Sequence, residues 1–145
     1  MKIVINACHG GFNLSREAIK YIADKTGQQV YWFETKFDKD FGSINYVPIT
    51  AEKALAESKT WCFTRAYKVP NPNELSDEQR REAAWDLDKM PRTDALLVEV
   101  VEVLGEKASG DFADLKVVEV PDDVQWHIAE YDGTEWVAEN HRKWY

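Results

Sequence analysis

Cysteine is scarce in this chain. Cys8 and Cys62 are the only two in 145 residues, too few for a disulfide framework, and a reducing cytosol is the compartment that fits them. The first residues lack the basic and then apolar run of a secretory leader, so none is expected. No apolar run approaches the roughly 18 residues that a membrane span requires. Internal repeats and low-complexity tracts are absent as well. Histidine is equally thin: His9, His127 and His141 stand far apart, and with no H-x-x-x-H or C-x-x-C spacing a metal site is not expected. Basic residues are outnumbered, 18 against 26 acidic, for a formal charge of -8. That balance disfavours non-specific binding to nucleic acid or to anionic lipid, so a polyanionic ligand would need a local cationic pocket. Acidity has two readings, a net charge that keeps a soluble protein monodisperse and an imitation of nucleic acid held against a basic surface.

What is present is enough for one sizeable core and no more, with 44% of residues hydrophobic, and a single α/β domain over residues 1–145 is expected. Lys2 to Ala7 reads as a strand covered on both faces and therefore central to its sheet. Gly10 and Gly11 break it, and Ser15 precedes Ala18, Ile19, Ile22 and Ala23 at helical spacing, with Gly27 as the stop. Gln29 to Glu34 is aromatic and β-branched, a second strand, so the start predicts a βαβ unit with a right-handed crossover in a mixed sheet. Thr35 to Ser43 reads as a loop or hairpin tip, Ile44 to Ile49 as an edge strand that tolerates Pro48, Thr50 as the cap of a short helix, and Trp61 to Tyr67 as another strand. After the breakers Pro70 to Asn73, Ser76 and Gln79 form a capping box for a charged helix. Residues 35–92 read as a variable insertion or lid, and Asn71 to Arg92 as its partner-facing part. Thr93 or Asp94 caps the most regular helix, with Leu96, Leu97, Val100, Val101 and Leu104 on one face; Gly105 interrupts it, either for close packing on a strand or as the end of its first half, and Gly110 is its expected terminator. Leu115 to Val120 is a strand stopped by Pro121, and Asp132-Gly133 predicts a C-terminal β-hairpin.

Two constellations could carry chemistry. In the first, a strand, the Cys8-His9-Gly10-Gly11 turn and the Ser15-capped helix aim backbone N–H groups at one mouth, where anions bind. Asn6 lies at the strand end, where open α/β sheets place ligand contacts. A tight structural turn is the plainer alternative, since neither a G-x-G-x-x-G fingerprint nor a Walker lysine is present. Cys8 could also act as a nucleophile, but neighbouring side chains on an extended chain point opposite ways, which places His9 badly as its base. In the second constellation, the tail His141-Arg142-Lys143-Trp144-Tyr145 is aromatic and cationic in an acidic chain. Arg142 could clamp a phosphate beside His141, and Trp144 could stack a base. Asp122-Asp123 follows Pro121 as turn formers, and the six tryptophans read as core and interface anchors.

The stretch from Met1-Lys2-Ile3-Val4-Ile5-Asn6-Ala7-Cys8-His9-Gly10-Gly11-Phe12 to Asn13-Leu14-Ser15, and the closing stretch from Leu115-Lys116-Val117-Val118-Glu119-Val120-Pro121-Asp122-Asp123-Val124 through Glu130-Tyr131-Asp132-Gly133 to Glu135-Trp136-Val137-Ala138-Glu139 and His141-Arg142-Lys143-Trp144, resemble a family of small uncharacterised proteins of bacteriophages and prophages. The resemblance implies a phage accessory protein in a bacterial host cytoplasm, a setting of anti-defence and host–virus interaction. The expected function is non-catalytic sequestration of a small phosphorylated, nucleotide-derived ligand by Asn6, Cys8, His9, Gly10, Gly11, Ser15, His141, Arg142 and Trp144, with no cofactor and no membrane partner. Two alternatives stand beside it: an acidic inhibitor that occupies a host enzyme, and a nucleotide-processing enzyme using Cys8 or His9. A homo-oligomer is left open.

Overall fold

The computed structural model describes residues 1–37, 42–56, 64–142 and 144. Within these the chain forms two compact units. The first joins Met1–Ile22 to Leu87–Tyr145, and the second, Ala23–Asp86, is inserted between those two segments. Among the described residues four α-helices and seven strands in three small sheets make a mixed α/β fold that ends in a β-hairpin.

In the first unit β1 (Lys2–Asn6) buries four consecutive residues, as its β-branched run requires. It pairs antiparallel with β5 (Leu115–Glu119), in a register that sets Val4 against Val117 and Asn6 against Leu115. The helix α4 (Ala95–Leu104) packs on both strands and buries Leu97, Val98, Val100 and Val101. With Ile3, Val4, Ile5 and Leu115 these residues make the core, each large aliphatic side chain contributing about 1.5–3 kcal/mol by leaving water. The Asp94 carboxylate starts α4 by accepting the Leu96 and Leu97 N–H groups at 2.9 and 3.1 Å. The helix stops earlier than expected, at Gly105, whose φ of 58° is open to glycine; a single 3₁₀ segment, Gly105–Ala108, follows. The helix α1 (Arg16–Thr26) begins in this unit, and β6 (Trp126–Tyr131) and β7 (Thr134–Glu139) close it as a hairpin.

The expected βαβ unit does not form. β1, α1 and β2 (Tyr31–Phe37) follow in the expected order, but β1 and β2 belong to different sheets. Both edges of β1 are already taken. One carries β5, and on the other Val4 N–H reaches Arg92 O at 2.9 Å and Asn6 N–H reaches the Glu135 carboxylate at 2.8 Å. Every strand pairing among the described residues is antiparallel, where a mixed sheet and a central first strand were expected.

In the second unit β2 lies between β3 (Ile44–Pro48) and β4 (Thr64–Tyr67), and α2 (Ala51–Ala56) contacts β2. Trp61 to Phe63, expected in the same strand as Tyr67, lie outside the described residues. The part of Asn71 to Arg92 in this unit is packed against its sheet. The Asn73 side chain accepts Tyr46 N–H at 2.9 Å and donates to Tyr46 O at 2.8 Å, covering the β3 edge as another strand would. On the β4 edge Lys68 N–H donates to Ala83 O and Trp85 N–H to Ala66 O. The helix α3 (Asp77–Ala83) carries the expected capping box, and its Arg80 lies over the Tyr46 ring while donating to Leu75 O at 2.6 Å.

Candidate functional site

Asn6 ends β1 fully buried, and its side chain joins three distant segments. Its amide Nδ2 donates to Cys8 O at 2.7 Å and to Gly133 O at 2.8 Å. Its Oδ1 accepts Asp114 N–H at 2.8 Å. A carboxamide has two donors and one oxygen, so both donors are spent inside the protein. Ala7 N–H adds a bond to Asp114 O at 2.7 Å. The 8–11 turn, the 112–114 loop and the hairpin turn are thereby held together from one side chain.

The glycines of this region serve close backbone approach. A Cβ on Gly10 would lie 1.6 Å from Phe112 O, and one on Gly133 would lie 2.5 Å from His9 O and 2.7 Å from Gly11 N. Asp132 and Gly133 both have positive φ, 49° and 86°, the pair of angles a two-residue hairpin turn needs. The ground beside Gly10 and Gly11, expected as a phosphate cradle, thus holds backbone of the same chain. Gly11, at φ 88°, has open space where a Cβ would be.

Cys8 and His9 are not a pair. The Cys8 thiol donates to Phe112 O at 2.9 Å, whereas His9 Nδ1 meets Thr134 Oγ1 at 3.1 Å. This matches the alternation of side chains along an extended chain and turns His9 away from the Cys8 thiol. Ser15 caps α1, its Oγ accepting Ala18 N–H at 3.1 Å and donating to Lys107 O at 2.5 Å. Its own N–H donates to Ala108 O at 2.9 Å, so the 107–108 segment lies against the helix start.

Two residues that the sequence did not single out hold this end of the unit together. The Glu135 carboxylate takes both Arg92 guanidinium nitrogens, at 2.7 and 3.0 Å, in addition to Asn6 N–H. The side chains of Arg92 and Glu135 are only 20% and 9% exposed, and the Phe12 ring covers the guanidinium at 3.6 Å. The signal was present in the period-2 pattern of Thr134 to Val137, which puts Glu135 on the same face as Val137.

The opposite, outward face of the hairpin carries Tyr131 and Trp136, with Tyr131 paired in register to Thr134. Tyr131 is 73% exposed and Phe112 is 81% exposed. Phe112 also has a φ of 63°, a left-handed conformation that costs an L-residue about 1–2 kcal/mol. A lone aromatic among the turn formers Gly110, Asp111 and Asp114 was the readable sign of it.

The tail is elsewhere. Asn140 N–H donates to Gln125 O at 2.8 Å, at the end of the hairpin opposite its turn. Six-residue strands extend about 20 Å, so His141, Arg142 and Trp144, all exposed, begin about that far from His9, Gly10 and Gly11. The shared rim expected of the two chain ends is not formed, because the antiparallel register sends the chain away from the turn after Thr134. Among the described residues no group of three or more His, Cys, Asp or Glu side chains is placed to hold a metal ion, and no helix is long and apolar enough to cross a membrane. The arrangement at this end can present rings, carboxylates and an imidazole on a braced backbone. No family model, no curated protein and no solved structure matches the chain.

Proposed function

We propose that this chain is a non-catalytic binding protein that engages a partner protein through the end of its first unit where the 8–13 turn, the 110–114 loop and the 130–134 hairpin turn converge. In the setting that the family resemblance implies, it acts as a phage accessory protein on a host enzyme in the bacterial cytoplasm. The observation that carries the reading is Phe112. Its ring is exposed while its backbone is held left-handed, so no burial within the chain offsets the cost of the conformation. Glycine or asparagine would hold the same angles more cheaply, which leaves the ring itself as the useful part. Aromatic side chains on a fixed backbone are the usual anchors of protein interfaces. The sequestration of a small phosphorylated ligand loses its support, since its two halves stand about 20 Å apart and the donors of Asn6 are spent.

Phe112→Gly tests the proposal cleanly, because it removes the ring and relieves the backbone together. Folding stability should hold or rise by about 0.5–1 kcal/mol. A protein recovered from bacterial lysate in stoichiometric amount with the full chain, then purified and titrated by calorimetry, should bind Phe112→Gly and Tyr131→Ala at least about 30-fold more weakly. Equal affinity for the variants would refute the proposal. So would heat from a nucleotide panel with no protein partner recovered.

A further inference from the structure

Most strand edges among the described residues are closed by the chain itself. Asn73 covers β3, Ala83 and Trp85 cover β4, and Arg92 with Glu135 covers β1. β7 lies against β1. On the far edge of β5 the Ser109 hydroxyl takes Leu115 N–H, which leaves only Val117 and Glu119 open, beside Lys116 and ahead of Pro121. The long open edge belongs to β6. The two-residue turn makes Tyr131 and Thr134 the first pair to exchange ladder bonds, so Ala129 and His127 also face β7, in step with Asn140 N–H on Gln125 O. The N–H and C=O groups of Trp126, Ile128 and Glu130 therefore point the other way, and among the described residues no hydrogen bond reaches them. The register of β6 on β7 runs unbroken, so the strand has no bulge, and it contains neither proline nor lysine, the usual devices that keep such an edge from pairing.

We infer that this edge pairs with β6 of a second copy of the chain, antiparallel and centred on Ile128, to make a four-stranded sheet across a twofold axis. In that register Ile128 meets its own counterpart, and each Trp126 meets Glu130 of the other copy. Those three pairs exchange two bonds each, which satisfies the open groups of both strands at once. A shift of two residues either way leaves only two such pairs within the strands. Centring on Glu130, the one formally charged residue of the strand, would set carboxylate against carboxylate. The strand therefore fits itself best in one register, and there like charges stay apart. The outward face gains as well: Tyr131, 73% exposed, comes opposite Gln125 of the second copy and diagonal to its His127, so ring area leaves water. The inference goes beyond the partner surface around Phe112 and does not rest on it.

Analytical ultracentrifugation of the full chain tests the pairing, from about 1 µM to about 0.5 mM because a single strand edge makes a small interface. At about 0.5 M salt, where the net charge of -8 on each copy is screened within about 4 Å, a monomer–dimer equilibrium should appear. Hydrogen exchange read by NMR locates the interface on the unaltered chain. As concentration rises, the amides of Trp126, Ile128 and Glu130 should slow at least about tenfold, and those of Val117 and Glu119 should not change. Glu130→Pro removes an outward N–H and leaves the bonds to β7 in place, a substitution that an edge strand tolerates. It should keep the circular dichroism of the fold and weaken the dimer at least about tenfold. A chain that stays monomeric across the range, a dimer in which the three amides exchange as in the monomer, or a dimer equally tight for Glu130→Pro would each overturn the inference. So would protection of those amides by a captured protein alone. Failure here is separable from failure of the function proposed above: a chain that never dimerises, yet loses its captured partner on Phe112→Gly, refutes the sheet pairing and leaves the aromatic surface standing.

Discussion

Replacing Glu135 with alanine removes three hydrogen bonds at once: two from the Arg92 guanidinium, at 2.7 and 3.0 Å, and one from Asn6 N–H at 2.8 Å. It leaves a largely buried guanidinium and a buried amide without their acceptor. Breaking one side of such a pair costs about 3–5 kcal/mol. The lower end applies, because Arg92 keeps the Val4 carbonyl at 3.3 Å, the Phe12 ring and some access to water. About 3 kcal/mol is a large part of the roughly 5–15 kcal/mol of a folded domain, and in a chain of this length it lowers the melting temperature by about 10 °C. Glu135→Gln keeps an oxygen for Asn6 and should cost only about 1–2 kcal/mol. Arg92→Met strands the carboxylate and should cost about 3 kcal/mol alone, while the double variant Arg92→Met, Glu135→Ala should cost about 2 kcal/mol less than the sum of its parts. Urea denaturation followed by circular dichroism measures all four variants. A loss below about 1 kcal/mol for Glu135→Ala, or single losses that add within about 0.5 kcal/mol, would refute the brace.

Three further outcomes follow from the same geometry. Gly10→Ala drives a Cβ into Phe112 O and should cost about 2–4 kcal/mol in a denaturant melt, whereas Gly11→Ala meets open space and should cost only the strain of its positive φ, about 1 kcal/mol. Burial first, and then its hydrogen bond to Tyr46, push the Tyr67 hydroxyl up to about 12. Because the folded value lies above the unfolded value of about 10, the folded state holds that proton longer. The corresponding stability is complete below about pH 10 and lost as pH rises toward 12, so Tyr67→Phe should flatten the alkaline limb of a pH–stability curve. Ending the chain after Asn140 removes exposed side chains only among the described tail residues and should change stability by less than about 0.5 kcal/mol.

Local signals were legible and distant partners were not. The Ser76 capping box, the Asp94 cap and the Asp132-Gly133 turn each depend on residues a few positions apart, so a short window contains the whole interaction. The run Ile3 to Ile5 announces a covered strand but says nothing about what covers it. Its neighbours come from Arg92, Leu115 to Glu119 and Glu135, more than eighty residues on. Of the expected site residues, Asn6, Cys8, His9, Gly10 and Gly11 do share one end of the first unit, and Ser15 caps the helix as read. His141, Arg142 and Trp144 were joined to them by their chemistry alone, a cation and a stacking ring in an acidic chain, and chemistry carries no register. Phe112, Tyr131, Arg92 and Glu135 were passed over because each looks ordinary until the fold brings it beside the glycine turn.

The dependence of Asn6 on Gly133 and Glu135 has a consequence for synthesis. A ribosome makes β1 long before the residues that complete its surroundings, which follow at sequence separations of 127 and 129. Until those residues are made, Ile3, Val4 and Ile5 are a sticky apolar segment with no home, a natural client for a chaperone. The inserted Ala23–Asp86 unit carries its own sheet and is free of that wait. A nascent chain stalled before its hairpin should show the second unit protected from protease while the first is still cut.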